Sequence, residues 1–194
     1  EQHPTLSPNA QLAVHARALV ERQLGHSAAD SAGQVWLESV TRVEAGEGRG
    51  ETPIWRRGES PRQRPRLAAS SAGLRFTLVF EVGEPGLRSG GTLSVLADPF
   101  WFWSVAQVDD REAPGFTTAR LVDEPADSAI RLVPDPGHAS FRLEGGSLAA
   151  GSAIEVVYGA GPKGAQIDRY AEEGAEIRIG LDADADGQRV WLRE

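Results

Sequence analysis

The sequence predicts a mainly β protein: an antiparallel, immunoglobulin-like (Ig-like) β-sandwich of about eight to ten strands, preceded by a helix-bearing N-terminal segment. Two observations support this prediction. From residue 74 onward, short runs of alternating apolar and polar residues recur, and glycine- or proline-rich turns separate most of them. The chain also has 22 glycines, many of them in those turns, which argues against a helical core in this region.

Residues 1–73 are predicted to hold a polar arm, one helix and one strand. Asn9 is a candidate N-cap for a helix over about 10–24, where apolar residues recur at spacings of three and four. Residues 34–43 then have the pattern of a first strand. Residues 44–73 are rich in arginine, glycine and proline, which predicts a solvated loop or, alternatively, a patch for an anion or acidic partner.

Residues 74–194 are predicted to form the sandwich core, as one structural unit with the first strand. The first run alternates, with Phe76, Leu78 and Phe80 on one face and polar residues on the other. The predicted strands are residues 74–82, 92–96, 117–121, 129–133, 139–143, 153–158, 176–181 and 188–192.

Two segments, 87–95 and 148–156, repeat one pattern. Each has a leucine, two small or polar residues, a glycine, a small residue and then an alternating run. Glycine tolerates the backbone conformations that tight turns need. We interpret the segments as equivalent leads into strands of the two sheets.

Composition narrows the function classes. A net charge of −8 and a pI near 5.1 argue against a nucleic-acid partner, which would need a basic surface. No apolar run is long enough to span a membrane. Cysteine is absent, which excludes disulfides and thiol chemistry. Methionine is absent too, so we expect a processed or excised chain whose signal peptide has been removed, located in the periplasm, outside the cell or on its surface.

The closest approach to site chemistry is an acidic turn between the last two predicted strands. Its three carboxylates stand at alternate positions: Asp182, Asp184 and Asp186. Gly187 follows, as in a calcium loop, but Arg193 stands where an EF-hand has its bidentate glutamate, and the flanks are strands. We therefore expect either a structural calcium ion, with Glu194 or Asp168 adding an oxygen, or a bare solvated hairpin.

A run of four aromatic residues is the second candidate site: Phe100, Trp101, Phe102 and Trp103. Successive side chains of a strand point to opposite faces, so all four cannot face one core. Either both faces are covered, or two of the rings line an exposed surface for a sugar or a protein partner.

The sequence offers only weak candidates for a catalytic site. None of the four histidines, His3, His15, His26 and His138, lies in a recognisable nucleophile context. The carboxylate pairs at 109–110 and 172–173 are adjacent in probable loops, which gives no reason to expect acid–base catalysis. We predict that the chain has no catalytic residues and is not an enzyme in its own right.

Three stretches share the motifs of a known family. Residues 103–118 contain a tryptophan, then a glutamine with acidic residues, and then an Ala-Pro-Gly-aromatic-Thr lead into a strand. Residues 148–159 end in Tyr-Gly, and residues 166–169 lead to the acidic turn. Over about residues 74–194 the chain resembles the N-terminal β-sandwich region of large, uncharacterised, exported bacterial proteins. Their later part looks like a metal-dependent hydrolase of the polymerase-and-histidinol-phosphatase (PHP) type. The resemblance implies a sandwich fold and an accessory role, and carries over none of the hydrolase's metal ligands.

The predicted function is a non-catalytic β-sandwich module of an exported bacterial protein, which positions or stabilises a partner domain or surface assembly. Two alternatives stay open. One is a self-assembling subunit of a cell-surface or extracellular filament. The other is a carbohydrate-binding module that uses Trp101 and Trp103. A protein partner or self-association is expected, and a glycan partner is the third option.

Overall fold

The computed structural model describes residues 31–43, 51–57, 65–97, 102–125, 127–170 and 175–192. This part of the chain is mainly antiparallel β in two five-stranded sheets, with almost no helix, so the predicted β-sandwich is confirmed. The polar arm and the helix predicted over 10–24 lie outside the described residues.

The described residues form ten strands: β1 (Gly33–Val43), β2 (Glu51–Arg56), β3 (Leu74–Val82), β4 (Thr92–Leu96), β5 (Thr117–Leu121), β6 (Arg131–Asp135), β7 (Ser140–Glu144), β8 (Ala153–Tyr158), β9 (Arg178–Asp182) and β10 (Val190–Trp191). The first sheet has the order β2-β1-β3-β8-β5, and the second has the order β10-β9-β4-β7-β6. The bounds of β3, β4, β5 and β8 are those predicted, and the other predicted strands shift by one or two residues.

The core lies between the two sheets and follows from the alternation of the strands. Phe76, Leu78 and Phe80 of β3 are all buried, as the sequence predicts. Leu93 and Leu181, on paired positions of β4 and β9, are buried in the facing sheet. Each fully buried side chain of this kind contributes about 1.5–3 kcal/mol, so the inward rows of the two sheets supply the main stabilisation.

The segment 44–73 departs from the prediction of an irregular loop, because residues 51–56 form β2. The prolines of this segment argued against a regular element, so the strand was not predicted. Pro53 is tolerated because β2 is at the edge of its sheet, where a missing N–H costs no inner hydrogen bond. A bulge between Val40 and Thr41 of β1 also shifts the register beside it. The prediction was therefore wrong for residues 51–56.

A partly buried charge holds β2 to the sheet. The guanidinium of Arg75 on β3 forms an ion pair with Glu51 and donates a hydrogen bond of 3.1 Å to the carbonyl of Ala160. Thr41 donates to the same Glu51 carboxylate at 3.4 Å. Burial lowers the pKa of Arg75, because water is displaced from its charged group. The segment that looked like a solvated loop is thus fastened to the central strand.

The repeated pattern at 87–95 and 148–156 has a structural meaning. The first copy leads into β4 of the second sheet and the other leads into β8 of the first sheet, as predicted. The two copies also pair with each other: Leu87 and Leu148 exchange backbone hydrogen bonds of 2.9 and 2.8 Å. Both leucines are buried, so this bridge joins the two sheets at one end of the sandwich.

The sandwich has two distinct ends. At the hairpin end, β3 and β9 finish with Val82 and Asp182. At the loop end, β3 begins with Leu74 and β8 finishes with Tyr158. The nine residues of β3 span the distance between the ends, about 26 Å at the usual rise of a strand. Each end carries one of the candidate sites.

Candidate functional sites

The acidic turn lies at the hairpin end, between β9 and β10, and brings the three predicted carboxylates together. Asp182 is buried, whereas Asp184 and Asp186 are exposed. One oxygen from each carboxylate lies within 4.8 Å of the others. Oxygens on opposite sides of a calcium ion are about 4.6–5.2 Å apart, given ligand distances of about 2.3–2.6 Å. The spacing therefore suits three ligands of one calcium ion.

Asp182 also shapes the turn itself. Its carboxylate accepts hydrogen bonds from the backbone N–H groups of Asp186 and Gly187, at 3.2 and 3.0 Å. Gly187 has a φ of 84°, which favours glycine, and Ala185 has a φ of 62°. Each carboxylate oxygen has two lone pairs, so one remains on each for a cation. The residue thus closes the turn whether or not a cation is bound.

Of the two further ligands expected for calcium, the structure describes Asp168, which is not brought to the turn. Asp168 lies at the loop end, because it follows Ala165, whose backbone pairs with Leu74 at the start of β3. The expectation that Asp168 supplies an oxygen was therefore wrong, and Glu194 lies outside the described residues. Within the described ranges, Asp182, Asp184 and Asp186 are the only such group of possible metal ligands.

A cavity of about 310 Å³ adjoins the acidic turn. Arg88 lines it together with Asp184 and Asp186, so a cation in the turn would lie near a positive charge. The backbone N–H of Arg88 donates to the carbonyl of Ala183 at 2.8 Å, which fixes this arginine beside the turn. The cavity therefore has walls of opposite charge, an arrangement that weakens the field available to a lone cation.

The aromatic run divides at the loop end. Trp103 packs against the core, with its ring centroid 5.8 Å from that of Phe76 and 6.4 Å from that of Tyr158. Phe102 is 60 % exposed. Its φ of 69° is unusual for a bulky residue and turns its ring away from the core side. Phe100 and Trp101 lie outside the described residues.

Hydrogen bonds to Ser104 fix the segment that carries these rings. The buried Tyr158 hydroxyl donates to the carbonyl of Ser104 at 2.5 Å and lies 2.8 Å from its Oγ. The backbone N–H of Gln166 donates to the same Oγ at 3.0 Å, and the N–H of Ser104 donates to the Gln166 carbonyl at 2.9 Å. Burial raises the pKa of Tyr158 to about 12, and the hydrogen bond with Ser104 opposes this shift.

Phe102, a residue of the predicted partner surface, belongs to a patch whose other members sequence reasoning missed. The loop-end patch consists of Phe102, Val105, Arg169 and Tyr170. Val105 and Tyr170 are 77 % and 62 % exposed. The guanidinium of Arg169 lies 4.6 Å from the centre of the Phe102 ring, a cation–π contact. No single motif contains both segments of the patch, since the fold alone brings them together.

The weak catalytic candidates have structural partners where they are described. Asp109 accepts a hydrogen bond from the backbone N–H of Gly137 at 2.9 Å, and Asp110 accepts one from Glu112 at 2.9 Å. Both carboxylates therefore order loops. His138 lies in the turn between β6 and β7, and the other three histidines and residues 172–173 lie outside the described ranges.

No protein-family model and no curated protein matches the sequence. The resemblance drawn over residues 74–194 therefore stays a prediction, and the functional argument depends on geometry. In the part of the chain that the structure describes, no helix is both long and apolar enough to cross a bilayer.

Proposed function

We propose that the chain is a non-catalytic β-sandwich module of an exported bacterial protein, which positions or stabilises a partner domain or a surface assembly. The observation that carries this proposal is the loop-end patch. Among the described residues, Phe102, Val105 and Tyr170 are the three most exposed large apolar side chains, and all lie at one end of the sandwich. Export rests on the family resemblance.

The composition of the patch suits protein binding. Aromatic residues and arginine are enriched in protein interfaces and are the commonest residues at which truncation weakens binding. Here Arg169 lies against the ring of Phe102, and Tyr170 follows it in the chain. Exposed apolar groups gain nothing from folding, so a group of them on one surface favours a binding role.

Hydrogen bonds hold both segments of the patch in place. Ser104, between Phe102 and Val105, is bonded to the buried Tyr158 and to Gln166. The segment that carries Arg169 and Tyr170 begins at Gln166, so one network anchors both halves of the patch. A surface that is ordered before binding loses less conformational entropy when the partner docks.

Site-specific photo-cross-linking tests the proposal. A photoreactive amino acid replaces Phe102 in the intact protein, produced in the organism that makes it, and a matched variant carries the same group at Ile54, which is 38 % exposed on the edge strand β2. We expect a discrete cross-linked product from position 102 and none from position 54. Equal cross-linking from both positions, or none from either, would contradict the proposal.

The carbohydrate-binding alternative loses support from the packing of Trp103. Both the Phe76 and the Tyr158 rings lie against this half-buried indole, so its contacts are with the core. The alternative predicts that a polysaccharide quenches tryptophan fluorescence. Quenching by one member of a glycan panel, abolished in a Trp103→Phe variant, would restore it over protein binding.

A structural cation is a second role, favoured by the 4.8 Å spacing of the carboxylate oxygens in the acidic turn. Calcium there would hold β9 and β10 together. The experiment compares melting temperatures with calcium and with chelator. We expect the chelator to lower the melting temperature, and Asp184→Ala to remove that difference. Identical melting of the wild type under both conditions would exclude the cation.

A further inference from the structure

We propose that the acidic turn contains a self-modification site, the linkage between Asp186 and Gly187, which rearranges to isoaspartate at a rate that Asp182 restrains. The site lies at the hairpin end, away from the loop-end patch, and its chemistry needs no partner protein. Two features of the turn carry the proposal: the residue types and exposure of the Asp186–Gly187 pair, and the hydrogen bonds that its backbone N–H groups donate.

Asp186 and Gly187 form the one Asp-Gly pair of the chain, which has no Asn-Gly pair. The carboxyl group of an aspartate can react with the backbone N–H of the next residue, and a side chain on that next residue hinders the approach. Glycine has no Cβ, and no atom of the described residues lies within 4 Å of the place that a Cβ of Gly187 would take. Asp186 is exposed, so solvent reaches its carboxyl group. The pair therefore meets the steric requirement of the reaction.

The reaction is an internal condensation followed by hydrolysis. The backbone nitrogen of Gly187 attacks Cγ of Asp186 and forms a succinimide ring, while the amide proton, a proton from solvent and one carboxylate oxygen leave as water. Water then adds to the backbone carbonyl carbon of Asp186, the bond from that carbon to the nitrogen breaks, and the borrowed proton returns to solvent. The main chain now runs through the side chain of Asp186, with its mass unchanged and its α-carboxylate free.

Asp182 opposes the first step. The N–H of Gly187 donates to Oδ2 of Asp182 at 3.0 Å, so the attacking nitrogen must first give up a bond to a charged acceptor. Asp182 is buried, and its negative charge opposes the negative charge that develops on the nitrogen as the proton leaves. Its Oδ1 accepts the N–H of Asp186 at 3.2 Å, which holds the backbone on the other side of the reacting residue. The carboxylate that closes the turn therefore slows the rearrangement.

Rearrangement alters the connection between β9 and β10. It adds one methylene group to the main chain of the turn. It also turns the carboxyl group that accepts the N–H of Gln188, at 2.7 Å, into a backbone carbonyl. The strand that follows, β10, has two residues and lies at the edge of its sheet, paired with β9 alone. So short a strand has few hydrogen bonds to hold its register when the turn lengthens, and we expect β10 to loosen.

Peptide mapping of the folded full chain tests the proposal. The wild type and two variants are incubated near neutral pH with chelator, and electron-transfer fragmentation in a mass spectrometer distinguishes isoaspartate from aspartate at each position. We expect isoaspartate to accumulate at position 186 of the wild type, and to accumulate about tenfold faster in Asp182→Ala, the factor to which about 1.4 kcal/mol of lost restraint corresponds. Asp182→Asn keeps an uncharged acceptor of the same shape, so its rate should lie between the two.

Asp186→Glu is the matched control, because it keeps the charge while the longer side chain closes a ring far more slowly, so position 186 should stay unmodified. Asp184 is the internal reference: it is exposed in the same turn, but the methyl group of Ala185 hinders the attack. Circular dichroism shows which of the Asp182 variants stay folded. Absence of isoaspartate from position 186 of the wild type, equal accumulation at 184 and 186, or a rate in a folded Asp182 variant no greater than in the wild type would overturn the proposal.

Amide hydrogen exchange on the same samples measures the effect on β10. Aged wild type should exchange faster than fresh wild type at residues 190–192 and equally in β3, and aged Asp186→Glu should show no such change. Equal exchange in fresh wild type and in aged wild type that contains isoaspartate would overturn the loosening of β10. These results are separate from cross-linking at position 102, so they leave the test of the docking function unaffected.

Discussion

At the scale of single residues, Tyr158 connects the core to the proposed binding surface. Its ring is fully buried and stacks on Phe76 at 5.7 Å. Its hydroxyl reaches the backbone and side chain of Ser104, which lies between Phe102 and Val105. The buried hydroxyl thus forms its hydrogen bond with the segment that carries the patch. Order in the core and order in the patch are coupled through this one side chain.

Replacing Tyr158 by Phe should therefore weaken the protein. The substitution keeps the ring and removes both contacts with Ser104, so the half-buried Ser104 carbonyl loses the hydroxyl that donates to it. We expect the free energy of unfolding to fall by about 1–3 kcal/mol. Tyr170→Phe is the matched control and should change it by less than about 0.5 kcal/mol, because Tyr170 is exposed. Urea unfolding measures both, and equal stabilities would contradict the assigned role.

The raised pKa of Tyr158 predicts that the protein loses stability at alkaline pH. The pKa of Tyr158 is raised from 10.0 to about 12 in the folded state, because burial disfavours the phenolate. Protonated Tyr158 stabilises the folded state, and this contribution is fully present below the unfolded pKa of about 10. As the pH rises from 10 towards 12, the free energy of unfolding should fall by up to about 2–3 kcal/mol. Urea unfolding across that range should show a steeper decline for the wild type than for Tyr158→Phe. Parallel declines would refute the shift.

The aromatic run shows what sequence could and could not supply at this scale. Alternation predicts that the four rings divide between different surroundings, and the two described rings, Phe102 and Trp103, do differ in this way; it does not say which ring is exposed. That choice depends on the positive φ of Phe102, which breaks the regular alternation of a strand. It also depends on Arg169, which is distant in sequence and stacks on the exposed ring. Neither feature has a local signature.

At the scale of elements, the acidic turn illustrates two uses of one pattern. Alternate aspartates followed by glycine suit a calcium ion, and they equally suit backbone N–H groups that need an acceptor. Asp182 has the second use, and Asp186 shares it because its Oδ1 accepts the backbone N–H of Gln188 at 2.7 Å, whereas Asp184 is exposed. The sequence could locate the turn but could not separate these roles, because both need the same oxygens.

The two roles make different predictions for Asp182 and Asp184. In chelator, Asp182→Ala should lower the free energy of unfolding by about 1–3 kcal/mol, because two backbone N–H groups lose a charged acceptor. Asp184→Ala, in the same solution, should change it by less than about 0.5 kcal/mol. Thermal and urea unfolding measure both values. A larger loss for Asp184→Ala than for Asp182→Ala would contradict the assignment.

The strands themselves were largely predictable, and the exception is instructive. Alternation gives the bounds of β3, β5 and β8, because one face of each of these strands is more buried than the other. It misses β2, whose side chains are mostly exposed and which contains Pro53. An edge strand needs little apolar pattern, since a neighbour such as β1 supplies its hydrogen bonds. Its existence depends on contacts that the local sequence does not encode.

At the scale of the whole molecule, the sandwich separates two surfaces of different character. The hairpin end presents carboxylates, and the loop end presents the exposed rings of Phe102 and Tyr170, with Arg169 against the first of them. The strands between them are fastened by a continuous core, so the distance and orientation of the two surfaces are fixed. A module of this kind is suited to placing one partner relative to another.

The central claim is that the loop end is a docking surface, and amide hydrogen exchange tests it most directly. Exchange is measured on residues 102–105 and 166–170 in the intact natural assembly and in the isolated chain, with the edge strand β2 as the internal reference. Docking predicts slower exchange of both loop-end segments in the assembly and unchanged exchange in β2. Equal exchange of the loop-end segments in the two samples would contradict the account.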